Sequence, residues 1–207
     1  MDTTTNAMFT LGHSSHTIEE FIHLLHMHKV DVIADVRSKP YSAFAPQFNR
    51  EQLEQSLRKE GINYVFMGKQ LGARPDDPSC YIQGHVSFSR IAATPLFKEG
   101  ISRVIKGAEK YHIALMCAEK EPLDCHRTIL VAQALYELRI HIQHIHADGT
   151  LESHSKALER LMELRGVPHV DLFLDRSELI RQAIKRQEER IAYIEPNDFE
   201  ENEGNVI

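Results

Sequence analysis

In this 207-residue chain, Cys117 and Glu119 are followed closely by Cys125-His126-Arg127. A thiol, a carboxylate, an imidazole and a guanidinium this close in sequence can support nucleophilic or proton-transfer chemistry. Two other strings carry the same kinds of group, Gly12-His13-Ser14 and Asp35-Val36-Arg37. If Cys125-His126-Arg127 opens a helix, its unpaired N–H groups and positive dipole end favour an anion. A cation is slightly unfavourable there for the helix alone, so Arg127 either points at a bound anion or pairs with a carboxylate such as Glu119. Arginine grips phosphate or carboxylate bidentately, which favours the ligand role. A thiol in that position has a lowered pKa and can act as a nucleophile, so Cys117 and Cys125 are candidates, with core packing as the alternative for each. The spacing Cys117-x7-Cys125-His126 is not a standard zinc arrangement.

His13 is the better candidate for general acid or base work, because an unperturbed imidazole titrates near neutrality. Its alternative is a loop histidine bonded to backbone. Ser14 is either an anion contact or a helix-start residue. Asp35 and Arg37 flank Val36 and share a side, so they form an ion pair or divide the work as carboxylate and anion clamp. Ser38 and Pro40-Tyr41-Ser42 continue a loop suited to ligand contact. Phe44, Pro46, Gln47, Phe48 and Asn49 offer a stacking platform for bases, or aromatics that pin the loop to the core.

These groups need elements to hold them. Met8-Phe9-Thr10-Leu11 is a short apolar run ending at Gly12 and reads as the first strand. Ile18, Phe21, Ile22, Leu24 and Leu25 recur at helical spacing, with Thr17 as N-cap and Glu20 as its capping-box partner. Residues 30–36 read as the second strand. Asn49 can cap a helix from Arg50 to Lys59 that Gly61 stops. Residues 62–67 are the third strand and 68–89 a long, patternless loop. A helix over 96–109 leads to a fourth strand over 112–117, a helix over 125–138 and a fifth strand over 140–145. His141, His144 and His146 lie along that edge-like strand and read as mostly surface. Helices over 155–164 and 172–193 follow. Strands alternating with helices predict an α/β fold of three layers. Its mostly parallel five-stranded sheet is Rossmann-like, with order 3-2-1-4-5 and helices on both faces. Ligands in such sheets bind at the carboxyl ends of the strands. That is where all three strings lie.

Hydrophobic residues make up 42% and charged residues 26%, an ordinary globular composition. The net charge is −6. Glu195, Asp198, Glu200, Glu201 and Glu203 fall in a final segment without Lys or Arg. The body is therefore near neutral and an anionic ligand is compatible with its field, while a strongly basic duplex-binding face is not evident. Three cysteines argue for reduced thiols over a disulfide framework. The N-terminus lacks the pattern of a signal peptide and no apolar run is long enough to cross a bilayer, so a cytoplasmic location is expected. One α/β domain over 1–194 is expected, with a core over 8–154, a helical extension over 155–194 and a disordered acidic tail over 195–207.

Six blocks in order resemble the domain-of-unknown-function 488 (DUF488) family. They are Thr10-Leu11-Gly12-His13-Ser14, Asp35-Val36-Arg37-Ser38-x-Pro40-x-Ser42, Pro46-Gln47-Phe48-Asn49, Leu71-Gly72-Ala73-Arg74, Met116-Cys117-Ala118-Glu119 and Cys125-His126-Arg127. The similarity continues through His146, Asp148, Gly149 and His154. It implies an α/β domain with its polar motifs grouped in one cleft, and it supplies no reaction. Three expectations follow. The first is an enzyme acting on a phosphate-bearing ligand, a nucleotide or a nucleic-acid end. In it, Ser14, Asp35, Arg37, Ser42, Arg74, His126 and Arg127 contact the ligand, His13 and Glu119 handle protons, and Cys117 or Cys125 is the nucleophile. The second is a non-catalytic module that senses a nucleotide or binds a partner. The third is a metal-dependent hydrolase using His13, Asp35, Glu119 and His126. The first two require no cofactor and no metal.

Overall fold

The structure, a computed structural model, describes residues 8–195. All but the first residue of the acidic segment 195–207 lies outside the described residues. In chain order the elements are β1 (Met8–Gly12), α1 (Ile18–Met27), β2 (Val32–Asp35), α2 (Arg50–Lys59), β3 (Asn63–Phe66), α3 (Gly68–Leu71), β4 (Tyr81–Ile82), β5 (His85–Val86), α4 (Phe88–Ala93), α5 (Pro95–Ala108) and β6 (Ile113–Cys117). A π-helical segment, Arg127–Ala132, then runs into α6 (Gln133–Glu137), followed by β7 (Ile142–Ile145), β8 (Leu151–Ser153), α7 (His154–Leu164) and α8 (Arg176–Ile191).

The main sheet has six strands in the order β3-β2-β6-β1-β7-β8. All pairs are parallel except β7 with β8. The expected order is corrected at its centre, because β6 stands between β2 and β1. All five residues of both β1 and β6 are buried. The full burial of both strands suits the interior of the sheet in either order, and the pairing decides: β6 bonds β2 on one side and β1 on the other. Chain proximity of β1 and β2 yields to this, and the α1 crossover spans one extra strand. Asp31 secures the start of the β2–β6 pair by accepting hydrogen bonds from the backbone N–H of His112 at 2.8 Å and from its ring at 3.0 Å. The sixth strand, β8, was not expected. It covers the outer side of β7, so that strand is no edge. His144, expected at the surface, is fully buried.

Side chains alternate between the two faces of the sheet. Phe9, Leu11, Ile33, Ala114 and Met116 pack against Phe21, Leu24 and Leu25 of α1 and Leu53 and Leu57 of α2. Met8, Val32, Ala34, Ile113 and Leu115 pack against α5, the π-helical segment, α7 and α8. Each large side chain buried here contributes about 1.5–3 kcal/mol. The α1 capping box forms between Thr17 and Glu20. Asn49 precedes α2, but its side chain accepts from the N–H of Ser42 at 2.7 Å and leaves the helix uncapped. The long loop is not patternless: it holds α3 and the β4–β5 hairpin and ends where α4 begins. Among the described residues, no helix is long and apolar enough to cross a membrane.

Gly12 pairs with Cys117 and Asp35 with Met116, so β1, β2 and β6 end side by side. All three strings reach one rim of the sheet although two strands exchange places. Each string follows a strand's carboxyl end, and all these strands are parallel.

Candidate functional site

The rim is built by short loops that hold one another. After β1 the chain turns back on the β6 loop, with His13 N–H donating to the Cys117 carbonyl at 2.9 Å and Ser14 N–H to the Ala118 carbonyl at 2.8 Å. Ser14 sits at φ 46, left-handed for a non-glycine residue. Gly12 is required by close approach: a Cβ there would overlap the Glu119 carbonyl. Gly12→Ala is therefore expected to push the Glu119 loop outward and destabilise the protein by about 1–3 kcal/mol, the usual cost of overpacking. Urea unfolding checks this, and an unchanged midpoint would refute the tight approach.

The chain reaches Cys125 through a short 3-10 turn, Pro122–Asp124, and Cys125 itself is extended at φ −134, ψ 139. The helix expected from Cys125 thus begins later, at Arg127, and as a π-helix. Arg127 is fully buried. Its Nη1 donates to the Glu119 carbonyl at 2.7 Å and its Nη2 to the Lys120 carbonyl at 3.3 Å. This corrects the pairing with the Glu119 carboxylate, which does not hold it. The guanidinium instead fastens the loop that carries Glu119.

The Glu119 carboxylate turns the other way, with Oε2 2.8 Å from Cys125 Sγ. His126 Nδ1 lies 3.6 Å from Cys117 Sγ and 3.9 Å from Cys125 Sγ. His126 Nε2 is 3.0 Å from the Val36 carbonyl. A carbonyl only accepts, so Nε2 carries the proton and Nδ1 faces the sulfurs. Cys125 Sγ also accepts from the N–H of Arg127 at 3.4 Å. Burial and the neighbouring Cys125 push the Cys117 thiol well above its ordinary value. Burial acts the same way on Cys125, but Cys117, Arg127 and His126 outweigh it and hold that thiol low. Burial and Cys125 raise the Glu119 carboxyl.

A second cluster lies beneath Arg37. Asp35, fully buried, accepts from Arg37 N–H at 3.0 Å, from Nε at 2.9 Å, from Nη2 at 2.6 Å and from the Tyr64 hydroxyl at 2.7 Å. Arg37 Nη2 also donates to the Phe48 carbonyl at 2.9 Å. Arg37 Nη1 stands 3.3 Å from His13 Nε2. A guanidinium cannot accept, so His13 Nε2 does, and His13 Nδ1–H donates to the Ser14 carbonyl at 3.1 Å. Burial and Arg37 lower the His13 pKa to about 4. His13 is thus a neutral prop for Arg37, stacked 4.4 Å from the Phe48 ring, rather than a group poised to titrate near neutrality. Phe48 is fully buried and pins its loop, whereas Phe44 is exposed.

Between the clusters opens a cleft of about 360 Å³. Arg37, Arg74, Cys117, Glu119 and His126 line it. Among the other expected residues, Cys125 and Arg127 sit behind its wall, and His13 and Asp35 support Arg37. Ser14 and Ser42 do not line it; the Ser42 hydroxyl accepts from the N–H of Phe44 at 3.2 Å. The metal set His13, Asp35, Glu119 and His126 is not assembled, because Asp35 and His13 are committed to Arg37. Lys39, Asp124 and Tyr193 line the cleft and were missed, whereas Ser38 and Tyr41 belong to the loop expected to suit a ligand. Lys39 stands within that loop. Ser38 Oγ accepts from the N–H of Arg74 at 3.0 Å and so ties the Leu71-Gly72-Ala73-Arg74 block to the site. Tyr193, whose ring lies 4.3 Å below the Arg74 guanidinium, follows α8 and has no local signal.

The model of one family, described as a domain of unknown function, DUF488, matches residues 17–134. The chain belongs to the DUF488 family. The DUF488 match takes in both clusters from Asp35 to Arg127 and leaves out Gly12-His13-Ser14 and everything after Ala134. No curated protein and no solved structure matches the chain.

Proposed function

We propose that this DUF488 chain is an enzyme acting on a phosphate-bearing ligand, a nucleotide or a nucleic-acid end, in the cleft between Arg37 and Cys117. One observation carries the reading: the cations Arg37, Lys39 and Arg74 line the same cleft as Cys117, Glu119 and His126. Lys39 and Arg74 are exposed and free to meet an anion. Arg37 is nearly buried and contributes a fixed positive wall. The anion seats on these cations and the reacting end of the ligand meets the thiol, carboxylate and imidazole. Tyr193 under Arg74 keeps that guanidinium over the cleft.

The test is calorimetric titration with adenosine monophosphate, inorganic pyrophosphate and a 5′-phosphorylated oligonucleotide. Charge-assisted hydrogen bonds are worth about 1.5–3 kcal/mol each. Lys39→Ala with Arg74→Ala should therefore weaken binding by about a hundredfold or more, with the unfolding midpoint unchanged. Absence of binding for all three probes at millimolar concentration, or equal affinity in the double variant, would overturn the proposal. Binding without turnover of any probe would favour the sensing module.

A further inference from the structure

We propose that Cys117, Cys125 and His126 form a zinc site whose fourth position opens toward the cleft beside Glu119. The proposal is independent of the phosphate reading. Sulfur, sulfur and imidazole nitrogen come from two elements: Cys117 ends β6, and Cys125 and His126 follow the 3-10 turn. Their donor atoms all lie within 4.8 Å of one another. The two sulfur-to-Nδ1 separations are 3.6 and 3.9 Å. A tetrahedral zinc with Zn–S of about 2.3 Å and Zn–N of about 2.0–2.1 Å sets sulfur and nitrogen about 3.6 Å apart. The cluster is already spaced for the ion.

The orientation of His126 is a second, independent sign. Nε2–H is tied to the Val36 carbonyl at 3.0 Å, which aims the lone pair of Nδ1 at the sulfurs. Metal-bound histidines are fixed by this kind of bond from the far nitrogen to a carbonyl or carboxylate. Both cysteines are free and buried. The Arg127 N–H points at Cys125 Sγ from 3.4 Å, a donor suited to a metal-bound thiolate. Two soft sulfurs and one imidazole select zinc over magnesium or calcium. Spacing in sequence hid the set, because the two cysteines stand far apart along the chain for a zinc pair and meet only where the loop folds back.

Two cysteines and one histidine fill three positions, the pattern that leaves a fourth for water or substrate. Cys117, Glu119 and His126 line the cleft, so that position faces it. Glu119 Oε2 lies 2.8 Å from Cys125 Sγ. When zinc takes the sulfur, the proton of that bond leaves and the carboxylate is released. It then stands beside the fourth position as an acceptor for the proton of a bound water. Arg127 holds the Glu119 backbone and thereby positions this carboxylate.

The test is metal analysis of full-length protein produced with added zinc and purified without chelators. One zinc per chain is expected. Cobalt(II) added to apoprotein should produce a thiolate-to-metal charge-transfer band and tetrahedral visible absorption, a readout that needs no variant to fold. Cys117→Ser, Cys125→Ser and His126→Gln should each lower zinc affinity at least a hundredfold. Glu119→Gln should retain one zinc with less than a tenfold loss. An unmodified chain that neither carries zinc nor shows the cobalt band overturns the site. Full zinc occupancy in Cys117→Ser or Cys125→Ser overturns the ligand set, and loss of zinc in Glu119→Gln overturns the open fourth position. Phosphate binding is measured separately through Lys39 and Arg74, so either proposal can fail without the other.

Discussion

Replacing Asp35 with alanine should lower the unfolding free energy by about 3–5 kcal/mol, the usual cost of stripping one partner from a buried ion pair. Asp35 is fully buried and Arg37 is 6% exposed. Among the described residues the carboxylate is the only anion that Arg37 touches, at 2.6 Å from Nη2. Removing it would leave a guanidinium in a place that water barely reaches, and would also orphan the Tyr64 hydroxyl. Arg37→Met should be costly for the reciprocal reason. The double variant Asp35→Leu with Arg37→Met should recover most of the loss, because two apolar groups need no partner. Urea unfolding of the three variants measures this. A loss below about 1 kcal/mol for Asp35→Ala, or a double variant worse than the sum of the singles, would show that the pair does not compensate itself. This pair is therefore a foundation for the cleft.

How much of this was legible follows from particular residues. Of the two alternatives for Asp35 and Arg37, the ion pair forms, because one intervening residue on an extended chain puts both side chains on one side. Thr17 and Glu20 were read correctly because a capping box is written in four consecutive residues. Local rules of this kind found the strands and the rim. They failed where the deciding contact is distant. The Glu119 carboxylate looked like a partner for Arg127 because the two stand close in sequence, yet the guanidinium holds the carbonyls of a loop that only folding brings back. The order of β1 and β6 failed because adjacency in the chain was taken to set adjacency in the sheet, while β2 pairs with β6. His144 was misplaced because β8, the short strand that covers it, is only three residues long.

His144 carries the second large effect. A buried chain runs from Thr10 Oγ1 to His144 Nδ1 at 2.8 Å, from His144 Nε2 to His154 Nδ1 at 3.0 Å, and from His154 Nε2 to Gln133 Oε1 at 3.1 Å. All three bonds are satisfied by one arrangement: both histidines neutral, each with its proton on Nε2, and the threonine hydroxyl donating. A further proton on His154 Nδ1 would face the Nε2–H of His144, two donors face to face. Burial lowers the His154 pKa to about 4, and burial with the adjacent His154 lowers that of His144 well below its ordinary value. In the unfolded chain both titrate near 6.5. Between these values the unfolded state binds more protons, so stability is full above about pH 6.5 and falls as the pH drops toward 4. At pH 4.5 His154 alone should cost about 2–3 kcal/mol, and His144 adds to it. Urea midpoints at pH 7 and 4.5 measure the loss. His154→Gln should be weaker at pH 7 but lose about 2–3 kcal/mol less on acidification. An equal acid loss in that variant would assign the sensitivity to other groups.

The central place of β6 has a consequence for the order of events as the chain folds. β1 lies beside β6 and β7, and β2 beside β3 and β6. When only the first third of the chain has been made, β2 and β3 can join, but β1 has no strand to bond. Phe9 waits for Ala114 and Leu11 for Met116, each half the chain away. Such long loop closures are slow because their entropy is lost before any contact repays it. The seam between β1 and β6 therefore closes late, and the rim with it. Gly12 and Cys117 meet in the last rungs of that seam, so during synthesis the nascent chain holds its thiols and its Asp35–Arg37 string apart until the sheet is almost whole.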